Sequence, residues 1–316
     1  MKRETICLIG GNGFLGTFFR QTYHRQFKKI LILGRNMRVE GLRENEVYHS
    51  IATLSIDRVA AIIKSHNVST IVDFSYNTVP KSSFENPISD FSENLYMTIH
   101  HLEIARCVSG VRFFYISSGG TVYGNVDKRS PLDENHTNIP LSPYGITKLT
   151  GERYALMYQQ IYGLDIVVLR PSNIYGPGQK PFRGQGFIAT AIACSVLGKS
   201  IQIFGDGKHV RDYLYIDDFC QALWGLLDKG INGTVYNIGN GEGFTVQQVV
   251  EIMATFPELG TPIIEYLPER PFDVRYNVLN RQRISDLLKW SPQTSLKQGI
   301  RESANWLLPQ LQPKLV

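Results

Sequence analysis

The short apolar run Thr5–Ile9 ends in Gly10-Gly11-Asn12-Gly13-Phe14-Leu15-Gly16, and a helical pattern begins at once. Few sequence features restrict a fold more tightly. Glycines at this spacing serve a tight turn, a backbone that approaches a ligand closely, and a helix packed directly on its own strand. The helix N-terminus then faces the turn, where its free N–H groups suit a pyrophosphate. A glycine pattern alone also fits a bare structural turn. Its place inside a strand-turn-helix unit points instead to a dinucleotide held by Gly10, Asn12, Gly13, Phe14, Leu15 and Gly16.

The rest of the first half repeats that alternation. Apolar runs at Lys29–Leu33, Thr70–Phe74, Arg112–Ile116 and Asp165–Arg170 predict strands, and the segments Phe14–Phe27, Ile56–Ser65, Pro87–Cys107 and Tyr144–Tyr162 predict crossover helices. The pattern is that of an α/β chain with a Rossmann-type, doubly wound parallel sheet. Right-handed crossovers bring the strand ends to one edge, where a ligand can lie. Beyond Pro171 the pattern loosens, with a Gly/Pro-rich stretch over 176–186. Helices are expected near Ile188–Leu197, Asp217–Leu227 and Val246–Phe256, and short strands around Ile201–Phe204 and Val235–Ile238. We expect a dinucleotide-binding domain over 1–171 and a smaller α/β substrate-binding lobe over 172–316, with chain crossings between them.

Composition narrows the partners. The 316 residues, 43% of them hydrophobic, can bury a large core. The net charge of +5 is spread along the chain without basic runs, which disfavours nucleic acid and fits an anionic small substrate. Cys7, Cys107, Cys194 and Cys220 form no CxxC pair and sit among apolar residues, as buried free thiols do in a reducing compartment, and no metal site is indicated. Basic residues run directly into the first strand, and no segment is long and apolar enough to span a bilayer. A soluble cytoplasmic protein is expected.

The second strand ends Leu33-Gly34-Arg35-Asn36-Met37-Arg38, without the acid that accepts hydrogen bonds from an adenosine ribose. A guanidinium binds a 2′-phosphate with paired charge-assisted hydrogen bonds, so Arg35 and Arg38 favour NADP(H), with NAD(H) as the alternative. Solvated loop charges are the plainer account of both.

Ser142-Pro143-Tyr144-Gly145-Ile146-Thr147-Lys148 opens a helix, and Tyr144 and Lys148, four apart, project from one face. A phenol with a reference pKa of about 10 is a poor base at neutral pH, but a neighbouring ammonium favours its phenolate. Tyr144 can then exchange a proton with a hydroxyl or carbonyl whose carbon exchanges a hydride with a nicotinamide.

With these residues, the sequence resembles the extended short-chain dehydrogenase/reductase family, in particular nucleotide-sugar epimerases and keto-sugar reductases. The resemblance spans almost the whole chain: Gly10–Gly16, Asp73-Phe74-Ser75, Asn94, Ser117–Gly124, Tyr144–Lys148, Leu169–Gly178, and Arg211-Asp212-Tyr213 followed by Asp217-Asp218. It implies that Phe74, Ser75, Lys148 and Pro171 border the cofactor and that Asn94 lies with the substrate. It further implies that Asn173, Arg211 and Arg270 bind the diphosphate of a nucleotide sugar, a doubly charged anion that suits bidentate guanidinium contacts. For each arginine a salt bridge to a nearby Asp is the structural alternative. A homodimer is also expected.

Two departures stand out. Relatives place a Ser or Thr where Gly119 stands, so the hydroxyl that bonds the reacting oxygen has to come from Ser118, Thr121 or water. Gly119-Gly120-Thr121 also lacks the acid and base of a sugar 4,6-dehydratase. Ser75-Tyr76 replaces a small pair in the cofactor wall, and Thr78 stands where many epimerases have Lys. The absent acid after the second strand tilts the expectation toward an NADPH-dependent reductase of a 4-keto sugar such as dTDP-4-dehydro-6-deoxyglucose, serving surface polysaccharide (lipopolysaccharide O-antigen) synthesis. The alternatives are a nucleotide-sugar 4-epimerase of the UDP-glucose or UDP-N-acetylglucosamine type and a non-catalytic dinucleotide sensor.

Overall fold

A computed structural model describes residues 3–126 and 129–311. The first half contributes β1 (Thr5–Ile9), β2 (Ile30–Gly34), β3 (Glu46–Ser50), β4 (Val68–Asp73), β5 (Arg112–Ile116) and β6 (Asp165–Pro171). Then come β7 (Asn173–Tyr175), β8 (Ser200–Phe204), β9 (Val210–Tyr215), β10 (Thr234–Ile238), β11 (Gly243–Thr245), β12 (Ile263–Leu267) and β13 (Tyr276–Asn277). The helices are α1 (Phe14–Tyr23), α2 (Ile56–Ser65), α3 (Pro80–Glu85), α4 (Pro87–Asp90), α5 (Tyr96–Arg106) and α6 (Pro143–Tyr162), then α7 (Phe187–Val196), α8 (Ile216–Lys229), α9 (Val246–Ala254), α10 (Gln282–Leu288) and α11 (Leu296–Leu311).

Seven parallel strands in the order β10-β6-β5-β4-β1-β2-β3 form the central sheet, the doubly wound arrangement of Rossmann-type folds. Its inner strands are buried on both faces and therefore read as largely continuous apolar runs. Along β1, Ile6 and Leu8 join a cluster with Phe19 of α1 and Phe219 and Leu223 of α8, while Cys7 and Ile9 join Val59, Ile63, Leu102 and Ala155 from α2, α5 and α6. The order reverses between β1 and β4, which opens a crevice at their carboxyl ends. The second half packs a separate core of α7, α9, α11 and β8 around Ile192, Met253, Ile300 and Ile203. No helix among the described residues is long and apolar enough to cross a membrane. All four cysteines are free.

Several expected boundaries move. The edge strand β3 is mostly half-exposed, so Glu46–Ser50 carries no apolar run to betray it. The expected helix Phe14–Phe27 ends at Tyr23 and closes in a 3₁₀ turn over His24–Gln26. Pro87–Cys107 is divided, α4 and α5 being joined by a π-helical turn over Phe91–Leu95. The strand expected at Val235–Ile238 pairs with β6 in the central sheet, so the chain returns there after building much of the second half.

Helix α6 is seated on the sheet by two devices. Gly151 approaches β5 so closely that a Cβ there would overlap Tyr115 Oη. One residue on, Glu152 forms a buried ion pair with Arg170 of β6, Arg170 Nη2 donating to Oε2 at 2.7 Å and Nε to Oε1 at 3.0 Å. Breaking one side of such a pair leaves an uncompensated buried charge. Glu152→Ala is expected to lose about 3–5 kcal/mol of stability, read from the urea midpoint. A loss below about 1 kcal/mol would show that the pair does not seat the helix.

Candidate active site

The crevice between β1 and β4 is a cavity of about 270 Å³ whose lining includes Gly10, Asn12, Gly13, Gly34, Arg35, Phe74 and Ser75. Gly10 has a φ of 71°, and a Cβ there would lie 2.8 Å from the Ser75 backbone N, so the turn closes directly on the end of β4. Gly16 works from behind: its missing Cβ lets α1 pack on the turn, where the nearest atom, Gly11 Cα, would stand 2.5 Å away. Helix α1 has no side-chain cap and no acid in its first turn, and Asn12 Oδ1 is buried without a partner. Open N–H groups at a helix N-terminus and an unpaired polar atom beside them fit a dinucleotide pyrophosphate. Phe14, Leu15 and Gly16 open α1 beside the cavity without lining it, and Tyr144, Lys148 and Pro171 are outside its lining as well.

At the far end of the cavity, β2 stops at Gly34 and no carboxylate lines the wall. Arg35 does, with Nη2 donating to Asn77 Oδ1 at 2.6 Å. Arg38 requires a correction: it is exposed and outside the lining, because the chain turns outward after Gly34, with the Asn36 carbonyl held by Tyr48 Oη at 2.7 Å. Asn94 requires another. It lines this cofactor-side cavity and not the substrate cavity, and its amide is already engaged. Oδ1 accepts from Asn77 N at 2.8 Å, while Nδ2 donates to Thr78 Oγ1 at 2.9 Å and to Asp90 Oδ1 at 3.1 Å.

Helix α6 opens with Ser142, whose Oγ accepts from Gly145 N at 3.1 Å, and with Pro143 in its first turn. That start fixes Tyr144 and, one turn on, Lys148. Burial pushes the Tyr144 phenol well up, and the Ser118 hydroxyl against it is the neighbour that draws it down. Burial pulls the Lys148 ammonium down to about 7, while Asp73, Asp90 and Glu152 raise it. Its Nζ donates to the Ile116 carbonyl at 2.8 Å. Gly119 could not carry a side chain here: a Cβ would lie 2.5 Å from Leu279 Cδ1 and 2.8 Å from the Arg170 carbonyl. Among the candidates for the missing hydroxyl, Ser118 reaches Tyr144, and Thr121 Oγ1 is buried without a partner on the wall of the same cavity.

That second cavity, about 840 Å³, holds Ser118, Thr121 and Tyr144 together with Asn173, Arg211 and Arg270. Asn173 Nδ2 donates to the Asp212 carbonyl at 3.1 Å. Arg270 is bidentate on Asp273, at 2.7 and 2.9 Å, and lies 4.0 Å over the Phe204 ring. Arg211 forms no ion pair among the described residues. Its neighbour Asp212 instead accepts the backbone N–H groups of Asn240, Gly241 and Leu279. The structural alternative thus holds for Arg270 and not for Arg211.

Sequence reasoning missed Asp90 and gave Asp73 no role beneath the site. Asp90, fully buried, accepts from Thr78, Asn94 and Thr147 and so ties α4 to α6. Asp73 is buried against His101 Nδ1 at 2.8 Å; burial would raise its carboxyl, but His101 and Ser75 hold it below the ordinary value. A single acid carries no periodic signal of its own. Tyr76 was visible only as an unusual residue in the cofactor wall.

Comparison with known proteins agrees with this geometry. Residues 6–239 match the NAD dependent epimerase/dehydratase family. A putative UDP-glucose 4-epimerase of Methanocaldococcus jannaschii is 30% identical over 307 residues, covering 96% of this chain and 98% of that protein. The structure of UDP-glucose 4-epimerase with UDP-glucose from Thermotoga maritima superposes with a TM-score of 0.88 at 30% identity, covering 97% of this chain and 99% of the other. That of the Thermus thermophilus UDP-glucose 4-epimerase complexed with NAD gives 0.85 at 27% identity, with 96% and 99% covered. The reading as a non-catalytic sensor therefore falls away: the chain is an enzyme, and it belongs to the NAD-dependent epimerase/dehydratase family of extended short-chain dehydrogenases, whose members here are nucleotide-sugar epimerases and dehydratases.

Proposed function

We propose that this enzyme is a nucleotide-sugar 4-epimerase acting on a UDP-hexose. The observation that carries the reading is one cavity with Tyr144, Ser118 and Thr121 at one place on its wall and Arg211 and Arg270 at another. The arginines suit a diphosphate, and Asn173 shares the lining with them. Bound in the adjoining crevice, a nicotinamide dinucleotide supplies reversible hydride exchange at the sugar carbon. Tyr144 takes the proton of the 4-hydroxyl and returns it after the keto sugar has turned its other face. Ser118 stands against the phenol, and Lys148, one turn along the same helix, is the cation whose charge would favour the phenolate. Gly119-Gly120-Thr121 offers no acid and base pair for dehydration. UDP-glucose 4-epimerases among the relatives favour this reading over the reductase expected from sequence.

The NADPH-dependent 4-keto-sugar reductase stays as the second reading on one observation: the wall that carries Arg35 and Gly34 has no carboxylate to bond a ribose. The four free thiols fit a reducing cytoplasmic compartment. A homodimer is supported by exposed apolar side chains on packed neighbours: Ile88 on α4, Phe91 on the π-helical turn and Tyr96 on α5 stand beside Ile146, Met157 and Ile161 on α6.

Three measurements test these assignments. Incubated with UDP-glucose or UDP-N-acetylglucosamine, the enzyme is expected to interconvert 4-epimers without net cofactor use, and Tyr144→Phe to slow turnover by about 10²–10⁴-fold with folding intact. Oxidation of NADPH on dTDP-4-dehydro-6-deoxyglucose, with no epimerisation, would establish the reductase instead. If Arg35 meets a 2′-phosphate, NADPH binds about tenfold more tightly than NADH and Arg35→Ala removes the difference; equal affinities in the unaltered enzyme leave the NAD reading. Light scattering should give a dimer that Met157→Arg with Ile161→Arg converts to monomer, and a monomeric starting protein would refute the dimer.

A further inference from the structure

We propose that Tyr76 is a positioning residue of the Tyr144–Lys148 pair, its ring face being the direct contact that holds the Lys148 ammonium in place and favours its charged form. The proposal deepens the function above, because it rests on Lys148 acting through its charge.

Lys148 is only 4% exposed, and an ammonium has three N–H donors to satisfy. It makes one hydrogen bond, to the Ile116 carbonyl, and no ion pair among the described residues. Every carboxylate facing it is committed elsewhere. Asp73 at the end of β4 pairs with His101 of α5 and accepts from Ser75. Asp90 of α4 accepts from Thr78, Asn94 and Thr147. Glu152, one turn further along α6, holds Arg170 and Ser117. The remaining titratable neighbours are tyrosines, and they differ in distance. The Tyr76 ring centroid lies 3.6 Å from Lys148 Nζ, against 5.6 Å for Tyr115 of β5 and 5.9 Å for Tyr144 itself. A desolvated cation over an aromatic face is attracted by the ring quadrupole, and burial strengthens that attraction.

The same ring also braces the partner. Tyr76 and Tyr144 pack with centroids 4.9 Å apart at 72°. Its hydroxyl is buried beside Thr147 and makes no hydrogen bond of normal geometry, so it is the ring and not the hydroxyl that meets the pair. Burial draws the Lys148 ammonium down while Asp73, Asp90 and Glu152 raise it, and the ring's attraction acts on the side that keeps it charged.

The test changes the quadrupole while keeping the shape. Tyr76→Phe is prepared first, and then the same ring bearing two and three fluorine atoms, which weaken the negative face with little change of volume. The ligand-free protein, labelled with ¹³C at the lysine ε-carbon, is titrated by NMR, the Lys148 signal being identified by its loss in Lys148→Met. The expected result is a midpoint in Tyr76→Phe like that of the unaltered protein, falling stepwise with fluorination by about one pH unit in all. Tyr76→Leu, which keeps the site apolar without a π face, should fall at least as far. Equal midpoints across the ring series, or a rise, would overturn the proposal, since a merely space-filling ring does not respond to fluorine. The midpoint is read without substrate, so absence of epimerase activity would refute the function and leave this result standing.

Discussion

Glu152 and Arg170 are each almost completely buried, and each is tolerable there because the other is in bidentate reach. The pair joins α6 to β6 across the face of the sheet, and Gly151 lets the helix settle on β5 beside it. Lys148 and Tyr144 lie one and two turns back along the same helix, so their depth over the sheet is set by this contact. Arg170 Nη1 also donates to Tyr123 Oη at 3.0 Å, and Glu152 accepts from Ser117, which anchors the Ser117–Gly124 segment to the same point. Helix and loop therefore meet in fixed register, and Ser118 is carried to Tyr144.

Around that anchor the charges are kept apart. Asp73, Asp90 and Glu152 surround Lys148 but are each neutralised or hydrogen-bonded by another group, so the lysine stays close to its carbonyl and aromatic contacts. A direct ion pair would fix its charge but hold its N–H groups away from a ribose. In the larger cavity the two arginines differ in the same sense: Arg270 is bound to Asp273, while Arg211 has no carboxylate partner among the described residues. An anion entering the cavity meets one pre-oriented guanidinium and one uncompensated one.

The cofactor end shows how a family resemblance and a local chemistry can point apart. The relatives include enzymes whose structures contain NAD, yet Gly34 ends β2 where a ribose-binding acid is expected, and Arg35 lines the wall. Tyr48 explains part of the difference: a Cβ at position 34 would lie 2.9 Å from its hydroxyl, so the phenol occupies the space a side chain would need. A side chain at position 34 would therefore have to displace that phenol as well as add its own charge.

The sequence by itself determined the strand-turn-helix with its glycines, the alternating parallel sheet, the four-residue spacing of Tyr144 and Lys148 and the chemistry of the arginines. These are local: each follows from the geometry of one strand, one turn or one helix. The tertiary structure decided which of two neighbouring arginines enters the crevice, that the Asn94 amide is consumed by Thr78, Asp90 and the Asn77 backbone, and that Leu279 fills the space beside Gly119 and leaves Ser118 to reach the phenol. It also decided that Tyr76, which reads as an anomaly in sequence, lies over Lys148. Each of these outcomes depends on a distance between segments that meet only when the sheet is assembled, and no local periodicity encodes such a distance.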